Sequence, residues 1–315
     1  MSANNLPFLS VFLLLSLLRF DSIPGLEAAA GKLASIPGVY VFGDSLVDAG
    51  NNNYLPFSVA KGNYPHNGID FPKKKATGRF CNGKNFADVI AEKIGLPLPP
   101  PYLSLRGLLK WRKRESAAVA GSNDLLNYIR SSQLRRKSSP QQYTQSVVDR
   151  FKAQLKTVQE TGAHRFLILG VAQLGCMPSR REKNSTTHEC NKEANMLASL
   201  YNKALIKMLQ QLKEELKSSM AYSYFDMFNS VHDIVSNPAH YGFSDVTSAC
   251  CGSGVLNAAL PCFPVSNLCS DRTKYLFWDR YGHPTEAAAR TIVNFVLSED
   301  TQYSSPLTLT QLVSS

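Results

Sequence analysis

No stretch of this chain is long and apolar enough to anchor it in a bilayer. The longest apolar run, Leu6 to Leu18, has 13 residues, short of the ~20 that a spanning helix needs. Small residues follow at Ala28, Ala29 and Ala30, so residues 1–30 read as a cleaved signal peptide, although no Lys or Arg precedes the run. Internal repeats and low-complexity linkers are missing too, and residues 31–315 read as a single domain. A length of 315 residues is within what α/β folds manage as one unit, and 44% hydrophobic content is ample for a core. The cysteines show no zinc-ligand spacing, and adjacent Cys250 and Cys251 cannot both serve one tetrahedral metal comfortably, so neither a metal nor a cofactor is expected. Gly252-Ser253-Gly254 is too little for a phosphate loop and reads as a turn beside the cysteines. Basic clusters at Arg106 to Arg114 and Arg130 to Lys137, with Trp111 available for stacking, come without a nucleic-acid-binding motif. Secretion argues against such a partner.

What is present fits an oxidising compartment. There are seven cysteines, Cys81, Cys176, Cys190, Cys250, Cys251, Cys262 and Cys269, a usage that suits secreted disulfide-bonded proteins. Pairing is expected within the Cys250 to Cys269 segment and between Cys176 and Cys190, which leaves Cys81 as the candidate free thiol. Asn184-Ser185-Thr186 is a glycosylation sequon in the loop that the second bridge would close. The formal net charge is +10; without residues 1–30, which hold Arg19, Asp21 and Glu27, it is +11. A basic secreted protein is drawn to polyanions such as acidic cell-wall polymer or an anionic membrane surface, and a solvated basic face explains the charge equally well.

Strand and helix patterns alternate along the chain. Val39 to Phe42, Phe166 to Leu169 and Met220 to Phe225 read as strands; Tyr143 to Glu160, Glu193 to Lys217 and Ala287 to Leu297 have helical periodicity. Alternation of this kind predicts a parallel sheet covered on both faces.

The chemistry gathers at two places. The run Val39-Tyr40-Val41-Phe42 delivers Gly43, Asp44 and Ser45 into a turn, and in open α/β sheets reacting groups collect outside the carboxyl ends of such strands. A serine hydroxyl is a poor nucleophile until a base takes its proton and a third group holds the base. Near the other end, Asp279 and His283 stand four residues apart between an apolar run and a helix start, with Pro284 and Glu286 suited to the first helical turn. Asp271 is the alternative acid. The order, serine first and acid and histidine last, differs from that of other triad hydrolases.

These residues, with Gly121-Ser122-Asn123-Asp124, resemble the plant GDSL esterase/lipase family of the SGNH hydrolase superfamily. The resemblance includes Phe42-Gly43-Asp44-Ser45-Leu46, Gly68-Ile69-Asp70-Phe71-Pro72, Thr77-Gly78-Arg79-Phe80-Cys81-Asn82-Gly83, Leu174-Gly175-Cys176-Met177-Pro178 and Ala249-Cys250-Cys251-Gly252, and runs from about Pro37 to Leu297. It implies a three-layer α/β/α flavodoxin-like fold and a secreted serine hydrolase acting on lipid, short acyl or carbohydrate esters, polysaccharide esters included. It also implies roles: Ser45 as nucleophile, His283 as general base and then acid, Asp279 as its orienting partner, and the Ser45 N–H and Asn123 amide in the oxyanion hole.

The chain departs from the family twice. Between Leu105 and Gly121 the family carries a second strand, a Gly-rich block with an oxyanion-hole N–H, and further helical sequence. Here only Arg106 to Ala120 remains. The expected consequences are a missing edge strand, a central strand weakened to Ser116-Ala117-Ala118-Val119-Ala120, and a marginal fold. The loss of one oxyanion donor implies turnover reduced by roughly a hundred- to a thousandfold. A non-catalytic acyl- or carbohydrate-binding variant and an unstable truncated product are the alternatives. The second departure is the spacing of Asp279 and His283, three residues in the family and four here, because Gly282 adds one. A glycine absorbs such an insertion by taking positive φ.

Overall fold

A computed structural model describes residues 38–105 and 115–315. The expected leader at residues 1–30 and the basic segment 106–114 lie outside the described residues. The central sheet is built from β1 (Val39–Phe42), β2 (Glu115–Val119), β3 (Arg165–Leu169) and β4 (Ala221–Phe225), all parallel, in the order β1-β2-β3-β4. A fifth member, Ser304–Pro306, pairs antiparallel with β4, which the sequence does not announce because it contains no large apolar side chain. Three strand positions agree with the sequence reading to within a residue. Among the described residues β1 is an edge, so a strand missing from this side leaves the other four connected.

Helices α1 (Phe86–Lys93), α2 (Ser122–Arg130), α3 (Ser132–Lys137), α4 (Pro140–Glu160), α5 (Pro178–Arg181), α6 (Lys192–Leu216), α7 (Met227–Ser236), α8 (Glu286–Leu297) and α9 (Leu309–Ser314) cover the sheet. Alternation along each strand divides the core. Leu167, Leu169 and Val119 face α1, α7 and α8 through Val89, Val231 and Ile292. Phe166, Ile168 and Ala118 face α2, α4 and α6 through Leu125, Phe151 and Leu209. Sheet plus two helical layers is the α/β/α architecture. α4 starts three residues before the expected Tyr143, at Pro140, with a capping box between Ser139 and Gln142. None of the helices among the described residues is long and apolar enough to cross a membrane.

The expected weakness of the central strand has a physical form. Ser116, Ala117, Ala118 and Val119 are all buried, yet their side chains are small. On the α4 face they leave a cavity of about 570 Å³, lined by Ser116 and Ala118 on β2, Phe42 on β1, Phe166 on β3, and Phe151 and Leu155 on α4. The register nevertheless holds, with Tyr40 opposite Ser116 and Ala117 opposite Leu167. Small side chains weaken packing here without breaking the ladder.

A third cluster forms around Cys250–Cys269 and Cys251–Cys262, two bridges packed on the fully buried Trp278. Cys176–Cys190 closes the loop that carries the Asn184 sequon, where the Asn184 amide donates to Thr187 Oγ1 at 2.8 Å. Cys81 is unpaired and buried, and burial raises its thiol pKa far above the usual range. The free thiol is a packed group.

Candidate active site

The turn after β1 is shaped by its own carboxylates. Asp44 Oδ1 accepts from the Leu46 N–H at 3.0 Å, and the Asp44 carbonyl accepts from the Val47 N–H at 3.2 Å. Asp48 then accepts from the Gly50 and Asn51 N–H groups at 2.8 and 2.6 Å, closing the next turn. A Cβ on Gly43 would stand 2.5 Å from Val119 Cγ1 and 2.7 Å from the Val119 carbonyl oxygen, so only glycine lets this turn lie against the end of β2. Ser45 is thereby held, half-buried, beyond the carboxyl ends of β1 and β2.

The second half of the site comes from the loop between β5 (Tyr275–Phe277) and α8. The Trp278 N–H donates to the His283 carbonyl at 2.7 Å, and the Trp278 indole N–H donates to Asn67 Oδ1 at 2.9 Å. Thr285, not Pro284, sets the helix start: its hydroxyl accepts from the Ala288 N–H, so Glu286 is the first helical residue and Pro284 lies outside. Gly282 takes φ of +77° and its N–H donates to the Asp279 carbonyl at 3.1 Å. The extra residue is absorbed there. His283 Nδ1 meets Asp279 Oδ2 at 2.6 Å, and His283 Nε2 meets Ser45 Oγ at 2.7 Å. The other carboxylate oxygen, Asp279 Oδ1, accepts from the Tyr281 N–H at 2.9 Å. Asp271 is spent elsewhere, accepting from the Thr273 N–H and hydroxyl on an exposed turn.

Both partners are buried, Asp279 at 6% and His283 at 7% exposure. Burial by itself would lower the pKa of His283, but the Asp279 charge, its hydrogen bond and the nearby Asp44 charge outweigh it and raise the pKa above its ordinary value. With Nδ1 bonded to a carboxylate, the neutral ring carries its proton there and leaves Nε2 as the acceptor facing the serine. Desolvation raises the Asp44 carboxyl above the usual range, opposed by the Leu46 hydrogen bond and the His283 charge.

Sequence reasoning missed the residues that hold this pair in place. Phe80 stacks on the His283 ring, with centroids 5.1 Å apart. Arg79 forms a buried two-pronged ion pair with Asp88 at 2.6 and 2.7 Å and spends its remaining donors on Ala49, Thr77 and Pro99. That clasp ties the loop carrying Phe80 to α1. Asn82 Oδ1 accepts from the Glu286 N–H at 2.9 Å, while Glu286 Oε2 accepts from the Lys84 N–H at 2.8 Å, so the same block holds the start of α8. The signal was the block Thr77-Gly78-Arg79-Phe80-Cys81-Asn82-Gly83 itself, whose mixture of a charge, a ring and turn residues has no helical or strand periodicity to explain it.

Asn123 lies in the first turn of α2, exposed, and lines the same cavity as Ser45 and His283. Among the described residues nothing in the chain accepts from its amide or from the Ser45 N–H, so both donors are open to a ligand. The cavity has a volume of about 800 Å³, within the usual range for small-molecule sites. Its walls are mostly apolar, with Leu126, Leu174, Met177 and Phe263 among them, and Tyr64 and Tyr281 beside the catalytic loop. No group of three or more His, Cys, Asp or Glu among the described residues could hold a metal ion. A serine hydroxyl, an imidazole turned by a carboxylate and two open N–H donors suit acyl transfer.

Comparison with known proteins points the same way. The sequence model described as GDSL-like Lipase/Acylhydrolase matches residues 117–296, a span that includes Asn123, Asp279 and His283 and begins after Ser45. The chain is 61% identical to GDSL esterase/lipase At5g55050 of Arabidopsis thaliana, with 100% of both chains covered. It is 33% identical to GDSL esterase/lipase At4g28780 over 87% of this chain and 90% of that one, and 32% identical to GDSL esterase/lipase LTL1 over 86% and 89%, both from Arabidopsis thaliana. The first alignment runs over 375 positions against 315 residues here, so many of its positions have no residue of this chain opposite them.

Proposed function

The chain belongs to the GDSL-like lipase/acylhydrolase family and is a carboxylic ester hydrolase, and from that premise we propose that it works through an acyl-enzyme on Ser45. The observation that carries this reading is the unbroken chain of hydrogen bonds from Ser45 Oγ through His283 to Asp279. His283 Nε2 takes the hydroxyl proton as Oγ attacks the ester carbonyl. The oxyanion is held by the Ser45 N–H and the Asn123 amide. His283 then returns the proton to the leaving alkoxide, and the alcohol departs. In the second half a water gives its proton to His283 and attacks the acyl carbon, the carboxylic acid leaves, and Ser45 regains its proton. Asp279 stays ionised throughout and fixes the tautomer and tilt of the ring.

Turnover is lower than in a relative with a complete oxyanion hole. The alignment length supports a segment present in the relative and missing here, and the sequence between Leu105 and Gly121 contains no counterpart of the Gly-rich donor block. One absent donor costs roughly a hundred- to a thousandfold. Three disulfides support an oxidising, extracellular setting for the mature domain of residues 31–315, with Asn184 carrying glycan. The substrate is a lipid, short acyl or carbohydrate ester. The net charge of +10 supports electrostatic retention on acidic cell-wall polymer, which would show as salt-reversible binding.

A fluorophosphonate probe tests the assignment. It labels the folded protein and fails to label the Ser45→Ala and His283→Ala variants. A folded wild-type chain that takes up no probe contradicts it.

A further inference from the structure

The mouth of the catalytic cavity is framed by two loops whose apolar side chains stand in solvent. On the first, Phe57 is 97% and Val59 is 99% exposed; on the second, Phe263 is 45% and Val265 is 93% exposed. Val59 and Phe263 also line the cavity, so each loop runs from its exposed tip into the wall of the site. A contact between His66 Nε2 and the Pro264 carbonyl at 3.1 Å links the regions beside them. Cations accompany the apolar residues. Lys61 lines the same mouth, and Arg280 lies over the Tyr281 ring, 5.6 Å from its centroid, and donates to the Ala259 carbonyl.

Fully exposed Phe and Val side chains at a loop tip gain nothing from folding, and grouped apolar exposure marks a surface that meets a partner. The place of these residues decides what the partner is. A protein or a second copy of this chain seated over the mouth would close the route by which an ester reaches Ser45. The surface of a lipid aggregate would instead present esters to it, accept Phe57 and Val265 below its headgroups, and set its phosphates beside Lys61 and Arg280.

We propose that residues 54–61 and 255–265 form a docking surface for the ester-bearing face of a lipid aggregate, so that the enzyme draws its substrate directly from an interface. The inference rests on the ester-hydrolase reading and names the physical form in which the substrate arrives. Phe57 and Val265 are outside the cavity lining and supply anchoring, while Lys61 and Arg280 supply attraction to anionic headgroups.

The test compares the full chain with the Phe57→Ser/Val265→Ser double variant by flotation on vesicles of phosphatidylcholine mixed with phosphatidylglycerol, alongside turnover of p-nitrophenyl acetate in solution. The wild-type chain is expected to float with the vesicles. The double variant should lose about tenfold or more in partition, the factor that one large apolar side chain commands on burial. Its turnover of the soluble ester should be unchanged. A wild-type chain that hydrolyses p-nitrophenyl acetate but stays off the vesicles overturns the docking surface and leaves the hydrolase reading standing, as does a double variant that floats like wild type. Self-association that disappears in the double variant, without vesicle binding, would assign the loops to a second copy and equally overturn the proposal. Vesicle binding by a folded chain that does not cleave p-nitrophenyl acetate overturns the hydrolase reading instead.

Discussion

The two halves of the proposed catalytic apparatus rest on unequal foundations. His283 and Asp279 sit in a loop held by Trp278, two disulfides and the Asn82 and Glu286 contacts to the start of α8. Ser45 comes from β1, an edge strand among the described residues, paired with a β2 whose small side chains border a cavity of about 570 Å³. Asp279 and His283 therefore rest against a disulfide-bridged cluster, whereas the proposed nucleophile sits beside the thinly packed side of the sheet. The difference shows that a site can keep its hydrogen-bond geometry when a neighbouring layer thins, provided the turn that bears the reacting group is fixed by local bonds. Asp44 and Asp48 supply those bonds.

Changing the acid gives the largest effect. Asp279→Asn keeps the shape of the loop but takes away the charge that holds the tautomer, and turnover should fall by about ten-thousandfold, as in other triads. The acid limb of the pH profile should move with it. The pKa of His283 lies above its ordinary 6.5, so wild-type kcat/KM should rise through a limb above pH 6.5 as the ring loses its proton. Without the Asp279 charge that limb shifts to lower pH. A profile for the variant that keeps the wild-type limb would show that another group controls the titration.

Next in size is the clasp that joins the halves. Arg79→Ala leaves Asp88, which has 0% exposure, with an unpaired buried charge, a change that typically costs about 3–5 kcal/mol. Thermal unfolding should register that loss. An unchanged midpoint would mean that Asp88 finds a replacement partner.

The sharpest test of the contrast in packing uses one chemical change on both sides of the sheet. Ala289→Leu, in the dense layer at 0% exposure, should destabilise by about 1–3 kcal/mol through overpacking. Ala118→Leu points into the cavity beside α4 and should stabilise by roughly 1–2 kcal/mol, because its added methylenes have room. Equal losses at both sites would remove the asymmetry.

The smallest effect is in stability against pH. Because the folded-state pKa of His283 is raised, its contribution is fully present below the unfolded value near 6.5 and fades as pH rises through the folded value. Wild type should lose a little stability over that window, and Asp279→Asn should not show the same slope.

These contrasts also mark what the sequence could reveal. β1, β3 and β4 were legible because predominantly apolar runs mean burial on both faces, and α4, α6 and α8 because their periodic stripes are long. The antiparallel strand at Ser304–Pro306 was not, since its pairing with β4 is set by tertiary contact rather than by its own side chains. At the proposed site, Ser45, Asp279 and His283 stood out in the sequence because each lies at a strand end or before a helix start. The support from Phe80 and from Arg79 with Asp88 could not, because these contacts join segments whose closeness exists only after folding. The insertion at Gly282 was readable as a problem, and its remedy, positive φ, followed from the absence of a Cβ.

The most direct measurement of the central claim is peptide mapping by mass spectrometry of enzyme quenched during turnover of a p-nitrophenyl ester. The acyl group should be found on the peptide containing Ser45, and should be lost in Ser45→Ala and in His283→Ala. Sustained ester hydrolysis with the acyl group on another residue, or undiminished in Ser45→Ala, would contradict it.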